Sequence, residues 1–202
     1  MQKVRRIALT GGIATGKSHV LATFAAAGVP TIDSDTLARE AVAAGTPGLA
    51  AVVARFGRAV LDSSGALNRR ALADIVFTDA GARRDLEAII HPEVRLAIDA
   101  WFAALDPSQH PFGVVAIPLL FEAGRERDFD TVVVTSCRPE TQLRRLMARD
   151  SLTEIEARAR IDAQLPLEEK VRRADYVVDT EGSPAETDAQ VAVLLDKPGC
   201  RG

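Results

Sequence analysis

The sequence predicts an α/β fold in which a parallel β-sheet is flanked by helices. Short apolar segments with the composition of strands alternate with amphipathic helical segments along most of the chain. Such alternation is typical of parallel sheets, because parallel strands need a long crossover that is usually a helix. A glycine-rich turn joins the first strand to the first helix. A helical stretch too long for a simple crossover lies between the second and third strands and predicts an inserted subdomain.

The individual elements follow from the local pattern of apolar residues. Strands are expected over residues 4–10, 29–33, 112–118, 131–135 and 176–179. Helices are expected over residues 16–27, 37–44, 139–149, 153–164 and 184–195, and throughout residues 48–105. We therefore predict a core made of residues 1–47, 107–137 and 175–202, a helical insertion over residues 48–106, and a further helical region over residues 138–174.

Length and charge limit the possible classes of function. A chain of 202 residues suits one compact α/β unit with small insertions. Its 25 basic and 28 acidic side chains give a net charge of −3, which provides no general attraction for nucleic acid or an anionic membrane. The longest strongly apolar run, residues 113–121, is far shorter than the roughly 20 residues that a membrane helix needs. We expect no nucleic-acid or membrane partner, and the sequence leaves the oligomeric state unknown.

The N-terminus and the cysteines indicate a cytoplasmic protein. The apolar segment after Arg6 is too short for the apolar region of a signal peptide. Cys137 and Cys200 make neither a disulfide framework nor a metal-ligand cluster. Both are expected to be unpaired thiols in a reducing cytosol.

The turn after the first strand has the pattern of a phosphate-binding loop. It fits G-x-x-x-x-G-K-[ST] at every fixed position, with an apolar strand before it and a helix after it. Its residues are Gly11, Gly12, Ile13, Ala14, Thr15, Gly16, Lys17 and Ser18. Glycines let backbone N–H groups converge on phosphate oxygens, and the helix N-terminus adds partial positive charge. We predict that the loop binds ATP, with Lys17 on the β- and γ-phosphates and the Ser18 hydroxyl on Mg²⁺.

Two classes of phosphate-loop protein are disfavoured by the rest of the chain. GTPases bind guanine with an Asn-Lys-x-Asp loop, but the single asparagine, Asn68, is followed by two arginines. Motor and transporter ATPases usually end an apolar strand in an acidic pair. Here the apolar strands end instead in Pro118 and in Thr135-Ser136. A kinase that acts on a small molecule is therefore the favoured class.

Two aspartates follow the second strand and suggest catalytic chemistry. Asp33 and Asp35 are separated by one residue. The carboxyl ends of parallel strands border the same crevice, and side chains two apart on an extended segment point the same way, so both are expected beside the phosphates. One carboxylate would accept the proton of an attacking hydroxyl, and the other would hold a water of the Mg²⁺ shell. The alternative role for Asp35 is to cap the next helix.

The helix that begins near Pro139 has a basic face. Four polar residues at spacings of four, three and four share that face: Arg138, Gln142, Arg145 and Arg149. The other face is apolar and is formed by Leu143, Leu146 and Met147. A row of arginines over a buried stripe suits a lid that closes on phosphates. A solvated helix face with surface ion pairs is the alternative.

Together these motifs resemble the dephospho-CoA kinase family over about residues 4–180. The phosphate loop alone is shared with many kinases. Further segments resemble the family at residues 32–40, 65–72, 76–77, 90–92, 118–122, 141–150 and 160–164. Ile90-His91-Pro92, Pro118-Leu-Leu-Phe-Glu122 and residues 141–150 together make the resemblance specific. The resemblance implies transfer of the γ-phosphoryl group of ATP, with Mg²⁺, to the 3′-hydroxyl of dephospho-CoA, the last step of coenzyme A synthesis.

The resemblance also implies roles for individual residues. The catalytic residues would be Asp35 as general base, Lys17, and Arg145 as the lid arginine. ATP would be held by the phosphate loop and Arg149, and the substrate by Asp33, Asp35, His91 and Gln164. Mg²⁺ would be held by Ser18 and, through water, by Asp33. Residues 48–106 would form a substrate domain, and residues 138–174 the lid.

Several positions depart from the family pattern or admit a second role. Ala14-Thr15 stands where Gly-Ser is usual, and Asn68 stands where Asp is usual, which puts a local cap or substrate contact in question. His91, before a proline, could end a helix instead of contacting substrate. Glu122 could be a structural partner for a nearby arginine.

Two rival functions stay open at this point. A shikimate-kinase-like enzyme also carries acids after its second strand, but the helical insertion and Ile90-His91-Pro92 disfavour it. A nucleotide sensor would bind ATP and a partner protein without catalysis. The presence of Asp35 and Arg145 disfavours a sensor, because a sensor needs no general base.

Overall fold

The computed structural model describes residues 3–197. One parallel sheet of five strands forms the centre, in the order β2-β3-β1-β4-β5. The strands are β1 (Arg5–Gly11), β2 (Thr31–Asp33), β3 (Phe112–Ala116), β4 (Thr131–Ser136) and β5 (Tyr176–Asp179). All five predicted strands are present, and the predicted parallel α/β fold is confirmed.

Nine α-helices connect the strands in the described part of the chain. They are α1 (Lys17–Ala26), α2 (Ser34–Ala41), α3 (Pro47–Phe56), α4 (Arg69–Thr78), α5 (Ala80–Ala104), α6 (Pro139–Asp150), α7 (Glu154–Asp162), α8 (Leu167–Arg172) and α9 (Pro184–Leu195). Local sequence sets several of the starts. Thr153 and Ser183 each form a capping box with the glutamate three residues later, and proline occupies the first turn of α3, α6 and α9. No helix of the described residues is long and apolar enough to cross a membrane.

The strand order places the phosphate loop at the point where the direction of winding reverses. β1 lies between β3 and β4, so the chain leaves β1 at the switch point of the sheet, where ligands bind in open α/β folds. Leu9 is paired with Ala116 of β3, and Ala116 is paired with Asp33 of β2. Asp33 therefore ends its strand at the same edge of the sheet as the loop that begins at Gly11.

The core of the sheet unit consists of alternate strand residues covered by two helices. One buried cluster joins residues of four strands to residues of α1 and α9: Ile7, Leu9, Val20, Phe24, Phe112, Val114, Val133, Val178, Val191 and Leu194. β1, β3 and β4 are buried on both faces, which explains their nearly continuous apolar sequence. This packing holds the end of β1 rigidly under the phosphate loop.

The chain divides into two compact units. Of the described residues, one unit comprises 3–33 and 104–197 and contains the sheet; the other is Ser34–Ala103 and is helical. The helical insertion was expected over residues 48–106, whereas the compact unit begins at Ser34. The physical reason is that Val42, which follows α2, is buried in one cluster with Val52, Val60 and Leu72. α2 therefore packs with the helices that follow it.

The long helix α5 corrects one expectation. His91 was given the alternative of ending a helix before Pro92, but α5 spans 25 residues with Pro92 inside it. The alternative that a helix ends at His91 is therefore wrong. Proline removes one backbone donor and disfavours the helical conformation of the residue before it. Burial of Val94, Ile98 and Phe102 along the second half of α5 stabilises continuation of the helix beyond the proline.

Candidate active site

The phosphate loop connects β1 to α1 through two left-handed residues. Ala14 has φ 60° and Gly16 has φ 86°. Glycine adopts this conformation without cost, whereas an L-residue such as alanine pays roughly 1–2 kcal/mol. α1 then begins at Lys17, directly after Gly16, which has no side chain with which to cap it. The first N–H groups of α1 are thus left for an anion.

Two glycines at the start of the loop are required by close contacts. A Cβ atom on Gly11 would lie 2.2 Å from Thr135 Oγ1, and one on Gly12 would lie 2.6 Å from Gln142 Nε2. Real Cβ atoms do not approach side-chain atoms so closely. The loop therefore lies directly against the end of β4 and against α6. The pattern of glycines found in the sequence thus has a steric cause.

Side chains bind four carbonyl groups of the loop. Each bond has its donor on a side chain: Lys170 Nζ to Gly11 O at 3.5 Å, Thr15 Oγ1 to Gly12 O at 2.8 Å, Gln142 Nε2 to Ile13 O at 2.9 Å, and Thr180 Oγ1 to Thr15 O at 2.9 Å. In a trans peptide the carbonyl and the following N–H point to opposite sides. A side chain that binds a loop carbonyl therefore turns the following N–H group away from itself. For the carbonyls of Gly11, Ile13 and Thr15, the following N–H groups are those of Gly12, Ala14 and Gly16, which can form a nest of donors of the kind that binds phosphate.

Gln164 uses one loop donor that would otherwise face an anion. Ile13 N–H donates to Gln164 Oε1 at 2.9 Å. The preceding carbonyl, of Gly12, already accepts from Thr15, so the peptide between Gly12 and Ile13 is bound at both ends. Gln164 was predicted to contact substrate, and the structure places it on the phosphate loop.

A buried ion pair supports the loop from within the sheet unit. Lys170 is 0% exposed, and its Nζ lies 2.7 Å from Glu122 Oε1. The same carboxylate oxygen accepts from Leu165 N–H at 3.0 Å. A structural partner for Glu122 was one of two roles left open by the sequence, with an arginine as the candidate, and its described partner is a lysine. Lys170 was not predicted from the sequence, although lysine is rare in this arginine-rich chain.

Arg145 also acts on the loop through a threonine. Its guanidinium donates to Thr180 O at 2.6 Å and to Thr180 Oγ1 at 3.2 Å. Thr180 in turn donates to Thr15 O, so a chain of contacts runs from α6 to the loop. Thr180 follows β5 and was not singled out in the sequence. A lone threonine after a short edge strand carries no distinctive pattern.

The basic face of α6 differs from its predicted form. Gln142, on the row predicted to face phosphates, contacts the phosphate loop and is buried at 4% exposure, whereas Leu143 and Met147 of the expected buried stripe are only half-buried. The alternative of a solvated face does not hold at Gln142, because the phosphate loop occupies the space beside this turn of α6. Hydrogen bonding to the loop backbone makes burial of the amide favourable.

The two outer arginines of α6 take part in ion pairs. Arg138 lies 2.7 Å from Glu181, and Arg149 lies 2.8 Å from Asp150. Hydrogen bonds from the Arg138 side chain and backbone lower the pKa of Glu181 to about 2. The hydrogen bond with Asp150 raises the pKa of Arg149 above its usual value. Surface ion pairs, the alternative interpretation of this helix face, are thus present at both ends.

Asp33 and Asp35 do not form an extended pair. Asp33 is the last residue of β2 and is half-buried, whereas Asp35 lies exposed in the first turn of α2. The expectation that both lie on one extended segment is wrong, because the helix begins at Ser34. The spacing of two residues therefore does not align their side chains in the way that it would in a strand.

A cavity of about 330 Å³ lies within the helical unit. Its polar lining comes from Asp35, Arg39 and Arg69, and its apolar lining includes Val42 and Ile90. Arg69 Nη2 donates to Arg39 O at 3.4 Å, which brings the two arginines to one wall. The cavity therefore combines a carboxylate, two positive charges and an apolar surface.

Two further predicted positions lie on this unit. His91 is exposed on α5, next to Ile90 of the cavity. Asn68 caps α4, since its Oδ1 accepts from Ala71 N–H at 3.1 Å. The asparagine in place of the usual aspartate therefore retains the local cap. Cys137 is a buried free thiol whose pKa is raised by burial, and Cys200 lies outside the described residues.

Comparison with known proteins decides the family. The sequence model of dephospho-CoA kinase matches residues 5–186. The chain belongs to the dephospho-CoA kinase family. A dephospho-CoA kinase from Anaeromyxobacter dehalogenans is 50% identical over 200 residues, which cover 98% of this chain and 95% of that protein.

Two solved structures agree with this assignment. A Thermus thermophilus protein has a TM-score of 0.80 and 37% identity, covering 96% of this chain and 98% of that one. A dephospho-CoA kinase from Campylobacter jejuni has a TM-score of 0.66 and 28% identity, covering 95% of each chain. The predicted phosphate-loop kinase fold is confirmed.

Membership in the dephospho-CoA kinase family settles the general chemistry. The family phosphorylates dephospho-CoA with ATP and Mg²⁺ in coenzyme A biosynthesis. The predicted enzyme class, an ATP-dependent phosphotransferase, is confirmed, and neither the shikimate-kinase-like enzyme nor the nucleotide sensor is supported.

The residues of the loop suit a magnesium ion that is bound chiefly through phosphates. Ser18 is exposed in the first turn of α1, and Asp33 is half-buried at the same edge of the sheet. Hydroxyl and carboxylate oxygens are the donors that Mg²⁺ prefers. Within the described residues, no cluster of three or more acidic, histidine or cysteine side chains forms a cage for a metal. This donor set fits an ion that keeps waters and phosphate oxygens as its other ligands.

Proposed function

We propose that this chain transfers the γ-phosphoryl group of ATP to the 3′-hydroxyl of dephospho-CoA through the residues named above. The hydroxyl oxygen forms a bond to the γ-phosphorus, and the bond from that phosphorus to the β–γ bridging oxygen breaks. The products are ADP and coenzyme A. The observation that carries the proposal is the phosphate loop, in which side chains bind the carbonyls of Ile13 and Thr15 so that the N–H groups of Ala14 and Gly16 are left for the phosphates.

The positive groups around the loop act on the triphosphate. Lys17 supplies a point charge to the β- and γ-phosphates, and the N-terminus of α1 adds partial positive charge. Ser18 and, through water, Asp33 would hold Mg²⁺, which would supply further charge neutralisation. Arg145 stabilises the charge that spreads over the transferred group, and Arg149 contributes to nucleotide binding.

The acceptor binds the helical unit. The cavity lined by Asp35, Arg39 and Arg69 supports this role, since the arginines suit the diphosphate of dephospho-CoA and the apolar wall suits its adenosine. Asp35 accepts the proton of the attacking hydroxyl. Asp33, His91 and Gln164 are the further predicted substrate contacts, and Gln164 Oε1 accepts a hydrogen bond from the loop. We assign residues 48–106 to the substrate domain and 138–174 to the lid.

The cellular setting follows from the reaction and not from geometry. Coenzyme A is assembled from soluble intermediates, so the cytoplasm is the proposed location. No nucleic-acid partner is proposed, because the net charge is −3.

Release of ADP tests the function directly. The purified chain should release ADP from ATP and Mg²⁺ when dephospho-CoA is added, and not when shikimate is added. Lys17→Ala should remove most of this activity, whereas Lys197→Ala, at an exposed lysine after α9, should retain it. ADP release that is independent of dephospho-CoA, or full activity of Lys17→Ala, would contradict the proposal.

A further inference from the structure

We propose that Gln142 is a positioning residue that holds the peptide between Ile13 and Ala14 so that Ala14 N–H faces the phosphates of ATP. The inference rests on the proposed function of the phosphate loop. It adds a residue of α6 that acts through the backbone of the loop.

The contact that carries the inference is buried and close. Gln142 is 4% exposed, and its Nε2 donates to Ile13 O at 2.9 Å. A Cβ on Gly12 would lie 2.6 Å from the same nitrogen, so the loop is packed against this amide group. Carbonyl and N–H lie on opposite sides of a trans peptide. A donor that binds Ile13 O on one side therefore directs Ala14 N–H to the other.

The conformation of Ala14 explains why the loop needs this contact. Its φ of 60° is left-handed, a region that an alanine disfavours. Without an external hydrogen bond, rotation of the peptide before Ala14 would relieve that strain and turn its N–H away from the phosphates. Gln142 binds the carbonyl of that same peptide. The strained residue Ala14 therefore directly follows the carbonyl group that Gln142 binds.

Because the N–H group of Ile13 is already bound, the N–H group of Ala14 becomes important for phosphate binding. Ile13 N–H already donates to Gln164 Oε1 at 2.9 Å. Ala14 is the next residue whose N–H can serve a phosphate oxygen at this end of the loop. A hydrogen bond to a charged group contributes more to binding than one between neutral groups. Loss of the contact that aligns Ala14 N–H, from Gln142 to Ile13 O, is therefore expected to weaken ATP binding measurably.

The experiment compares four proteins: the wild type, Gln142→Met, Ala14→Gly and the double variant. Methionine keeps the volume of glutamine and removes the donor. Calorimetric titration with Mg²⁺·ATP should show an affinity about tenfold to a hundredfold weaker for Gln142→Met, the loss expected for one hydrogen bond to a charged group. The KM for dephospho-CoA should be unchanged. Ala14→Gly alone provides the reference against which the ATP affinity of the double variant is compared.

The double variant separates positioning from general destabilisation. Glycine accepts the left-handed conformation freely, so Ala14→Gly should recover at least about half of the logarithmic loss caused by Gln142→Met. Leu146→Val, at a buried position of the same helix, is the matched control; it should lower the melting temperature without changing ATP affinity.

Three results would overturn the inference: unchanged ATP affinity in Gln142→Met, no recovery in the double variant, or an equal loss of affinity in Leu146→Val. Each is distinct from failure of the proposed function, which would appear as a wild type that neither binds Mg²⁺·ATP nor phosphorylates dephospho-CoA. If the wild type binds Mg²⁺·ATP and phosphorylates dephospho-CoA but any of the three results is obtained, the proposed role of Gln142 is wrong and the proposed function stands.

Discussion

At the scale of single residues, Lys170 shows how a charge is used inside this protein. It is fully buried and contacts both Glu122 and a carbonyl of the phosphate loop. Taking two charges out of water is costly, and the pair is tolerable because Glu122 also accepts from Leu165 N–H. Because Lys170 also contacts the phosphate loop, the ion pair helps to position the loop as well as to stabilise the fold.

Removing one partner of this pair should be strongly destabilising. Lys170→Met leaves Glu122 without its charge partner, and we expect a loss of about 3 kcal/mol in the free energy of unfolding, the lower end of the range for a broken buried pair, because the Glu122 side chain is still 22% exposed. Urea unfolding measures this loss. Adding Glu122→Gln should recover part of it, since the glutamine oxygen can still accept from Leu165. Equal losses in the single and double variants would show that the charge is unimportant.

Substitution of Asp33 and substitution of Asp35 should change the kinetics in different ways. Asp35→Asn cannot accept a proton, so turnover should fall by roughly a hundredfold to ten-thousandfold with ATP affinity nearly unchanged. Asp33→Asn should raise the Mg²⁺ requirement and be partly rescued by excess Mg²⁺.

Turnover measured against Mg²⁺ concentration distinguishes the two aspartates. Asp74→Asn, at an exposed aspartate of α4, is the control and should behave as wild type. Rescue of Asp35→Asn but not of Asp33→Asn would reverse the assignment. A small loss in Asp35→Asn would instead show that positioning outweighs proton removal in this loose transition state.

At the scale of elements, α6 is linked to the phosphate loop and to the end of β5. Gln142 reaches the loop directly, and Arg145 reaches it through Thr180. Arg138 and Thr141 bind Glu181, which follows β5. The helix α6, which was predicted to be a phosphate-clamping lid, is thus also hydrogen-bonded to the phosphate loop and to the segment after β5.

Arg145→Ala should lower turnover more than ATP affinity. The charge acts mainly as negative charge spreads in the transition state, so a loss on the order of tenfold to a thousandfold in kcat is expected. Arg144→Ala, the exposed neighbour on α6, is the matched control and should retain activity. Steady-state kinetics in both substrates provides the measurement. A rise in the KM for ATP with unchanged kcat would assign Arg145 to holding Thr180 and the loop.

Glu181 makes the attachment of α6 dependent on pH. Its pKa is lowered to about 2 from a usual 4.5 by its bonds to Arg138 and Thr141, so the unfolded chain binds the proton more tightly than the folded chain. Its contribution to stability is therefore complete above about pH 5 and is lost as the pH falls towards 2. Thermal unfolding of wild type and Glu181→Gln should show a difference that is constant near neutral pH and shrinks below pH 5. A constant difference down to pH 2 would contradict the ion-pair role.

At the scale of the whole molecule, the chain consists of a sheet unit that carries the phosphate loop and a helical unit that carries the cavity proposed for the acceptor. In the proposed function, the two substrates bind different units. Binding of ATP is therefore expected to stabilise chiefly the unit that contains the loop.

Mg²⁺·ATP should raise the melting temperature by mass action. At a concentration about 100 times its Kd, a ligand that binds only the folded state adds about 2.7 kcal/mol, or roughly 5–10 °C for a chain of this size. Scanning calorimetry with and without Mg²⁺·ATP measures the shift. Lys17→Ala should reduce it strongly without lowering the melting temperature of the free protein. An equal shift in that variant would show that ATP binds elsewhere.

The sequence by itself determined the fold class, the phosphate loop and the family. A strand buried on both faces lacks charged and polar side chains, as in β3, and a loop that binds phosphate needs glycines and a lysine at set positions. Both features can therefore be recognised from the local sequence. The cap of α4 is also a local interaction, but the sequence left it open because Asn68 stands where aspartate is usual. These features depend on residues that are neighbours in the chain.

Only the tertiary structure decided what surrounds the loop. Lys170, Thr180, Gln142 and Gln164 reach it from segments more than a hundred residues away in the chain, and no local pattern specifies which carbonyl each would bind. Helical spacing placed Gln142 on the row predicted to face phosphates but did not show that the loop would bury it, because spacing defines a face and not what packs against it. The same reason applies to Pro92, since packing of the later half of α5 decided that the helix continues.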